Sequence, residues 1–237
     1  MPKISVVIPA YNELENLEPL LAELRAALAQ VGESYEIVLV DDGSGDGSAE
    51  RLLEEARRDP ALVPVLLAQN RGQSTALAVG VARAQGEVIV TLDADLQNDP
   101  ADLPRLLEAL DGADVVSGIR RGRQDSRLRR VSSGIANAVR RAVLGDPVTD
   151  IGCSFKAYRR RALEGVPWFV GAHRFLPALC VFRGARLKEI PLSHRPRRHG
   201  RSKYGVSNRL WRGLYDLVGV RWLKSRLLRY DIREVTR

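Results

Sequence analysis

The 237-residue chain carries 37 Lys and Arg against 29 Asp and Glu, with two cysteines and 45% hydrophobic residues. That is ample chain for a single large core, and two cysteines build neither a disulfide framework nor a four-thiolate zinc site. There is no leader-like basic-then-apolar start and no apolar run near about 18 residues. The expectation is therefore a reduced, intracellular protein, neither secreted nor membrane-spanning.

The first 119 residues alternate between strand and helix patterns. Ile4–Pro9 reads as a strand, and Asn16–Val31 as a helix with leucines at 17, 20, 21, 24 and 28. Tyr35–Val40 reads as a strand, Ser48–Asp59 as a helix, Val63–Leu67 as a strand and Gly72–Ala84 as a helix. Glu87–Leu92 is a further strand, followed by a helix opened by Pro100 and a strand at Val115–Ser117. Strands apolar on both faces, alternating with helices, predict a Rossmann-like, doubly wound α/β fold with a mostly parallel sheet. Beyond Ile119 come a basic helix near 125–144, a loop and strand over Asp150–Tyr158, and a strand at Leu187–Leu192. A loop rich in Arg, Pro, His and Gly follows, then a last helix from about Ser207. The expected organisation is one continuous domain in two halves, 1–119 and 120–206, with a basic amphipathic helical extension over 207–237.

Charge is divided along the chain. Residues 1–119 hold 8 basic and 21 acidic side chains, whereas residues 120–237 hold 29 basic and 8 acidic ones. Such asymmetry predicts an anionic partner for the second half: nucleic acid, an anionic membrane or a phosphate-bearing substrate. Nucleic acid fits poorly, because no nucleic-acid motif or interleaved aromatic pattern is present.

In open α/β sheets ligands bind at the carboxyl ends of strands. Here those ends carry Pro9-Ala-Tyr-Asn-Glu13, Asp41-Asp-Gly-Ser44 and Asp93-Ala-Asp-Leu-Gln97. None is a dinucleotide fingerprint or a P-loop. Asp93 and Asp95, two apart at a strand end, can aim their carboxylates the same way. Two close carboxylates repel unless a cation lies between them, and few hard oxygen ligands facing a cleft suit Mg²⁺ or Mn²⁺ shared with substrate phosphates. Cys153 and Cys180 read as small core residues, and Trp168 as packing.

These motifs, in this order and spacing, resemble family 2 glycosyltransferases of GT-A fold, and Asp95-Leu-Gln97 resembles the polyprenyl-phosphate branch that includes the dolichol-phosphate mannosyltransferases. Arg120 with Arg123-Gln-Asp-Ser126 and Arg129, Asp150-Ile-Gly-Cys153, Ala157-Tyr-Arg-Arg160, Glu189-Ile-Pro191 and Gly200-Arg-Ser-Lys-Tyr204 narrow the resemblance to undecaprenyl-phosphate 4-deoxy-4-formamido-L-arabinose transferases. The resemblance implies that Pro9, Tyr11, Glu13 and Asp42 line the nucleotide, joined by Asp93. It implies that Asp93, Asp95 and Gln97 meet the donor diphosphate through Mg²⁺ or Mn²⁺. It assigns Arg120, Arg129, Ser202 and Lys203 to the acceptor phosphate, with 195–204 as a mobile loop, and ranks Asp95, Asp150 and Arg120 as catalytic. The implied reaction is inverting transfer from a UDP- or GDP-linked sugar to a polyprenyl phosphate, by a peripheral protein at the cytoplasmic face of the membrane.

The chemistry is consistent with that charge map. A lipid phosphate has a second pKa of about 6, so it is already ionised and needs positioning more than a base. Asp150 would then orient the acceptor or an arginine. If the acceptor were instead a sugar or lipid hydroxyl, Asp150 would be the candidate base. The last helix places Leu210, Leu214, Leu217 and Val218 on one side among basic residues, as a helix lying in an anionic interface would.

Overall fold

A computed structural model of the chain describes residues 1–121, 127–196 and 206–227, with the backbone alone at 127–133 and 206–212. Seven strands form one sheet: β1 (Ile4–Ala10), β2 (Tyr35–Asp41), β3 (Leu62–Leu66), β4 (Val88–Thr91), β5 (Val115–Arg121), β6 (Lys156–Arg159) and β7 (Leu187–Ser193). Their order across the sheet is β3-β2-β1-β4-β6-β5-β7. Strands β1 to β4 pair in parallel, as do β5 and β7. Strand β6 runs antiparallel to both its neighbours. The fold is thus the expected doubly wound α/β sheet of GT-A type, mixed rather than purely parallel.

Helices cover both faces. On one side lie α1 (Leu14–Val31) and α4 (Leu103–Glu108), the latter entered through a 3-10 turn at Pro100–Asp102. Leu17, Leu20, Leu21, Leu24 and Leu28 of α1 are all buried. Each such side chain contributes about 1.5–3 kcal/mol of transfer free energy. Helix α1 stops at Gly32, whose φ of 70° is left-handed and whose N–H caps the Leu28 carbonyl. Helix α2 (Ser48–Arg58) packs beside β3 and α1.

The opposite face carries α3 (Gln73–Arg83), α7 (Ala172–Phe182) and the buried side of α8 (Val206–Arg226). Helix α5 (Arg127–Leu144) pairs with α8, and α6 (Arg160–Leu163) is a single turn after β6. Helix α7 has no counterpart among the sequence expectations. Ala172, Phe175 to Cys180 and Phe182 are all buried, so it is apolar nearly all round and shows no one-sided stripe.

The expected apolar side of the last helix is divided. Leu217 and Val220 are buried, whereas Leu214, Tyr215, Val218 and Trp222 are exposed on another side. Asp216 pairs with Arg174 of α7 at 3.1 Å, and the Lys224 ammonium lies 4.7 Å from the Phe182 ring centre while donating to the Leu144 carbonyl. Leu210 and residues 228–237 lie outside the described side chains. Cys153 and Cys180 are buried free thiols and Trp168 packs on the second core, as expected.

One ion-pair network ties the start of β5 to α6 and to the segment before β7. Asp114, just before β5, accepts from Arg161 Nη2 (2.6 Å), Arg186 Nε (3.0 Å) and the Arg186 backbone (3.0 Å). The hydrogen bonds from Arg186 and then Arg161 hold its carboxyl well below the usual range. A carboxyl depressed in the folded state stabilises above its unfolded pKa of about 4 and loses that contribution as pH falls. Denaturant midpoints measured against pH should therefore drop for the wild type from about pH 5 downwards. Asp114→Asn should be less stable at pH 7 and show a shallower acid decline.

Candidate active site

The strand order leaves a topological switch beside β1: the chain moves to β2 and β3 on one side and to β4 on the other. The crevice outside the carboxyl ends of β1, β2 and β4 is where such sheets take ligands. The sequence-predicted donor residues meet there. Pro9 lies in β1 opposite Val40, and Tyr11 and Glu13 lie in the loop that follows.

Backbone-to-side-chain bonds lace that loop to the one after β2. Asn12 N–H donates to Ser44 Oγ (2.8 Å), Gly45 N–H to Asn12 Oδ1 (2.9 Å), Glu13 N–H to Ser48 Oγ (3.1 Å) and Leu14 N–H to Asp46 (3.1 Å). Asn12 sits at φ 50°, which a side chain that bonds locally tolerates. Glu13 also accepts from Asn16 Nδ2 at 2.6 Å. Gly43, at φ 69°, lets the loop run against the Gln69 backbone, which a Cβ there would meet at 2.5 Å.

Asp42 is buried, and its two oxygens accept the N–H groups of Arg71 and Gly72, each at 2.8 Å. Its carboxylate thus holds the Asn70-Arg-Gly72 turn that opens α3.

Asp93 follows β4, half-buried, and accepts from Gln73 Nε2 at 2.7 Å. Asp95 is buried, and its Oδ1 accepts the Gln97 N–H at 3.2 Å across a turn in which Leu96 has φ 59°. Burial, then the Asp95 carboxylate, push Asp93 up to about 6, against Ser154, Lys156 and Arg120. Mutual repulsion between two carboxylates at one strand end is what a bound divalent cation relieves. No group of three or more His, Cys, Asp or Glu fit to hold a metal occurs among the described residues. Two carboxylates with a nearby amide oxygen suit Mg²⁺ or Mn²⁺ completed by substrate phosphates. Asp93, Asp95 and Gln97 fit that ion.

The antiparallel strand builds the other half of the site. Because β6 starts at the carboxyl ends of β4 and β5, the loop before it lies beside both. Thr91 Oγ1 donates to the Ser154 carbonyl (2.8 Å) and Asn98 Nδ2 to Ser154 Oγ (2.8 Å). Arg120, near the end of β5, forms a two-pronged pair with Asp150: Nε to Oδ2 and Nη2 to Oδ1, both 2.8 Å. Asp150 also accepts the N–H groups of Arg120 (3.2 Å) and Gly152 (3.1 Å). This geometry gives Asp150 the task of orienting Arg120.

A Cβ at Gly152 would meet Arg120 Nη2 at 2.4 Å. If Arg120 holds the acceptor phosphate, as the resemblance implies, Gly152→Ala should swing the guanidinium away and weaken acceptor use about tenfold or more while nucleotide affinity, measured by calorimetry, stays unchanged.

The segment preceding Asp150 is fixed from both sides. Thr149 N–H donates to Glu189 of β7 at 2.9 Å, and Arg140 of α5 binds Asp146 and the Val148 carbonyl.

Arg195 is firmly anchored and does not belong to a free loop. Its backbone N–H donates to the Gln97 carbonyl (2.7 Å), and its guanidinium binds Glu23 (2.7 Å) and Asp99 (2.6 Å). Arg195 thus lies directly beside the Asp95–Gln97 turn. Ser202, Lys203 and the side chain of Arg129, like Arg123 to Ser126, lie outside the described residues.

Sequence reading missed three side chains here: Gln73, Ser154 and Lys156. Lys156 is 3% exposed. A charged residue opening a four-residue strand, before Ala157 and Tyr158, was its one signal.

The sequence matches Glycosyl transferase family 2 over residues 5–166. It is 45% identical over 217 residues to the undecaprenyl-phosphate 4-deoxy-4-formamido-L-arabinose transferase of Edwardsiella ictaluri, and 42% identical to that of Aeromonas hydrophila. Each match covers 91% of this chain but 66% of the relative, so the chain spans somewhat under two thirds of their length. Among solved structures it resembles glucosyl-3-phosphoglycerate synthase from Mycobacterium tuberculosis with Mn²⁺, UDP and phosphoglyceric acid. That match has a TM-score of 0.73 at 21% identity and covers 96% of this chain and 80% of that one. The same enzyme with Mg²⁺ and UDP gives a TM-score of 0.70 at 22% identity, covering 92% and 80%. The strand-end carboxylates, the laced donor loops and the family match over most of the fold lead to one conclusion: this chain belongs to glycosyl transferase family 2.

Proposed function

We propose that the protein moves a sugar from a nucleotide donor to a polyprenyl phosphate with inversion at the anomeric carbon. The observation that carries this reading is the Arg120–Asp150 pair beside the Asp93–Asp95 strand end. It gives the site a fixed cation for an anionic acceptor and commits Asp150 to that cation. Transfer to a sugar or lipid hydroxyl needs a base, and a carboxylate accepting four hydrogen bonds from Arg120 and Gly152 is poorly placed to take a proton.

Pro9, Tyr11, Glu13 and Asp42 border the nucleotide, Asp42 by holding the 70–72 turn in place. UDP, the nucleotide in the structural neighbours, is the proposed carrier ahead of GDP. Asp93, Asp95 and Gln97 would hold Mg²⁺ or Mn²⁺, which when bound offsets charge on the departing diphosphate. Arg120 positions the acceptor phosphate, assisted in this reading by Arg129, Ser202 and Lys203. A phosphate oxygen attacks the anomeric carbon, forming the new C–O bond as the old one breaks and its electron pair leaves with the nucleoside diphosphate. The nucleophile is already anionic, so no proton changes hands.

Membrane contact is part of the proposal. No helix among the described residues is long and apolar enough to cross a bilayer. The exposed Leu214, Tyr215, Val218 and Trp222 of α8, with Arg221 and Arg226 beside them, support a peripheral seat on an anionic surface at the cytoplasmic face. The relatives' names point to undecaprenyl phosphate and 4-deoxy-4-formamido-L-arabinose as first substrates to try. The test is transfer of labelled sugar from its UDP conjugate into the butanol-soluble phase with undecaprenyl phosphate, against undecaprenol as control. Transfer to the phosphate alone supports the reading, and equal transfer to the alcohol overturns it.

A further inference from the structure

Lys156 is a buried cation that the roles above leave unused. It faces Thr91 of β4 and Ser117 of β5 across the two ladders, and paired residues share one face of a sheet. Its chain neighbours Phe155 and Ala157 belong to the core under α1 and α4. Lys156 therefore projects on the α3–α7 side. The register places it two residues short of Asp93 along β4, on the same face, and three short of Arg120 along β5, whose side chain starts from the other face at the same strand ends.

The electrostatics agree with that placement. Burial lowers the pKa of the ammonium, opposed by the carboxylates of Asp93 and Asp150. Among the described residues its Nζ makes no hydrogen bond and no ion pair. The half-buried Arg120 and the buried Arg140 differ in each having a carboxylate partner, Asp150 and Asp146. A buried ammonium without a partner is costly, and the chemistry that offsets it is an anion arriving from outside.

We propose that Lys156 is a catalytic residue of the sugar transfer, its ammonium taking a phosphate oxygen at the floor of the site between the Asp93–Asp95 carboxylates and the Arg120–Asp150 pair. The assignment rests on the sugar-transfer reading and adds a residue to it. Phosphate is the fitting ligand because a lysine ammonium binds it as a point charge, and both substrates of the transfer bring one. The oxygen belongs either to the donor's diphosphate or to the acceptor.

The test measures binding to the whole chain by calorimetry, using UDP with Mg²⁺, geranyl phosphate as a soluble acceptor probe, and uridine as a phosphate-free control. Lys156→Met should weaken UDP–Mg²⁺ or geranyl phosphate about ten- to a hundredfold and leave uridine unchanged. The probe that suffers identifies the source of the phosphate. Lys156→Gln serves if the Met variant does not fold. In the wild type, with its five lysines ¹³Cε-labelled, the Lys156 signal should shift on adding the affected probe. It is assigned by elimination against variants at Lys3, Lys188, Lys203 and Lys224.

Two results overturn the assignment alone: both probes bound within about twofold of wild type, or tighter Mg²⁺ binding with phosphate affinity intact. The latter would make Lys156 a counter-ion for Asp93 instead. A wild type that binds neither UDP nor geranyl phosphate overturns the parent reading and this assignment with it.

Discussion

Asp95→Asn is expected to retain less than about a tenth of wild-type sugar transfer at saturating Mn²⁺, with the thermal midpoint nearly unchanged. The two halves of that result have different causes. Asn keeps a carbonyl oxygen that can still accept the Gln97 N–H, so the turn through Leu96 survives. What disappears is half of the negative charge that Asp93 and Asp95 present together, and with it a ligand for a hard divalent ion. Loss of that ion's stabilisation of the leaving diphosphate is worth several kcal/mol, so a tenfold threshold, about 1.4 kcal/mol, is conservative. The readouts are initial rate against Mn²⁺ concentration and a melting curve of the same preparation. Asp93 should ionise more readily in the variant, because the neighbouring carboxylate that raises it is gone. Activity above a tenth would show that the strand-end pair does not carry the metal.

The second large effect concerns Arg120 and Asp150, and its signature is that the two losses do not add. Arg120→Met should weaken acceptor use about ten- to a hundredfold, the worth of one charge-assisted contact of roughly 1.5–3 kcal/mol. Nucleotide affinity should hold. Asp150→Asn removes the charge that orients the guanidinium, so it should lower acceptor use by a similar factor and leave the pH profile of the rate flat near neutrality. The double variant should be little worse than Arg120→Met, because both changes remove one positioned cation. Rates measured against polyprenyl phosphate concentration, with UDP binding measured separately, decide this. If Asp150→Asn instead abolishes transfer and steepens the pH dependence, Asp150 acts as a base and the phosphate-acceptor reading falls.

Much of the donor side was legible in the chain because its signals are local. Leu17, Leu20, Leu21, Leu24 and Leu28 mark one helix face, and the Val- and Ile-rich runs mark buried parallel strands. Strand-end carboxylates follow each run directly, so sequence alone places Asp42, Asp93 and Asp95 at the crevice. The resemblance to family 2 glycosyltransferases rested on the order of those motifs, and the family match over residues 5–166 supports it.

The acceptor side depended on long-range pairing. No local pattern tells a four-residue strand such as β6 where to insert, yet its antiparallel place between β4 and β5 brings Asp150 to Arg120, 30 residues apart, and Lys156 beneath Asp93. Helix α7 went unmarked because most of it is buried, leaving only a narrow polar side at His173 and Arg174, and because Pro177 lies inside it. The division of α8 into a packed and an exposed side was decided by contacts with α5 and α7 that its own spacing does not encode. By itself the sequence determined the fold class, the family and the strand-end carboxylates, since each is written in residues close together along the chain. Only the tertiary structure decided that Asp150 serves Arg120, that Asp42 serves a turn, and that a lysine lies unpaired under the site. Those are matters of which distant side chains share a buried space, where charge must be matched by whatever the fold brings near.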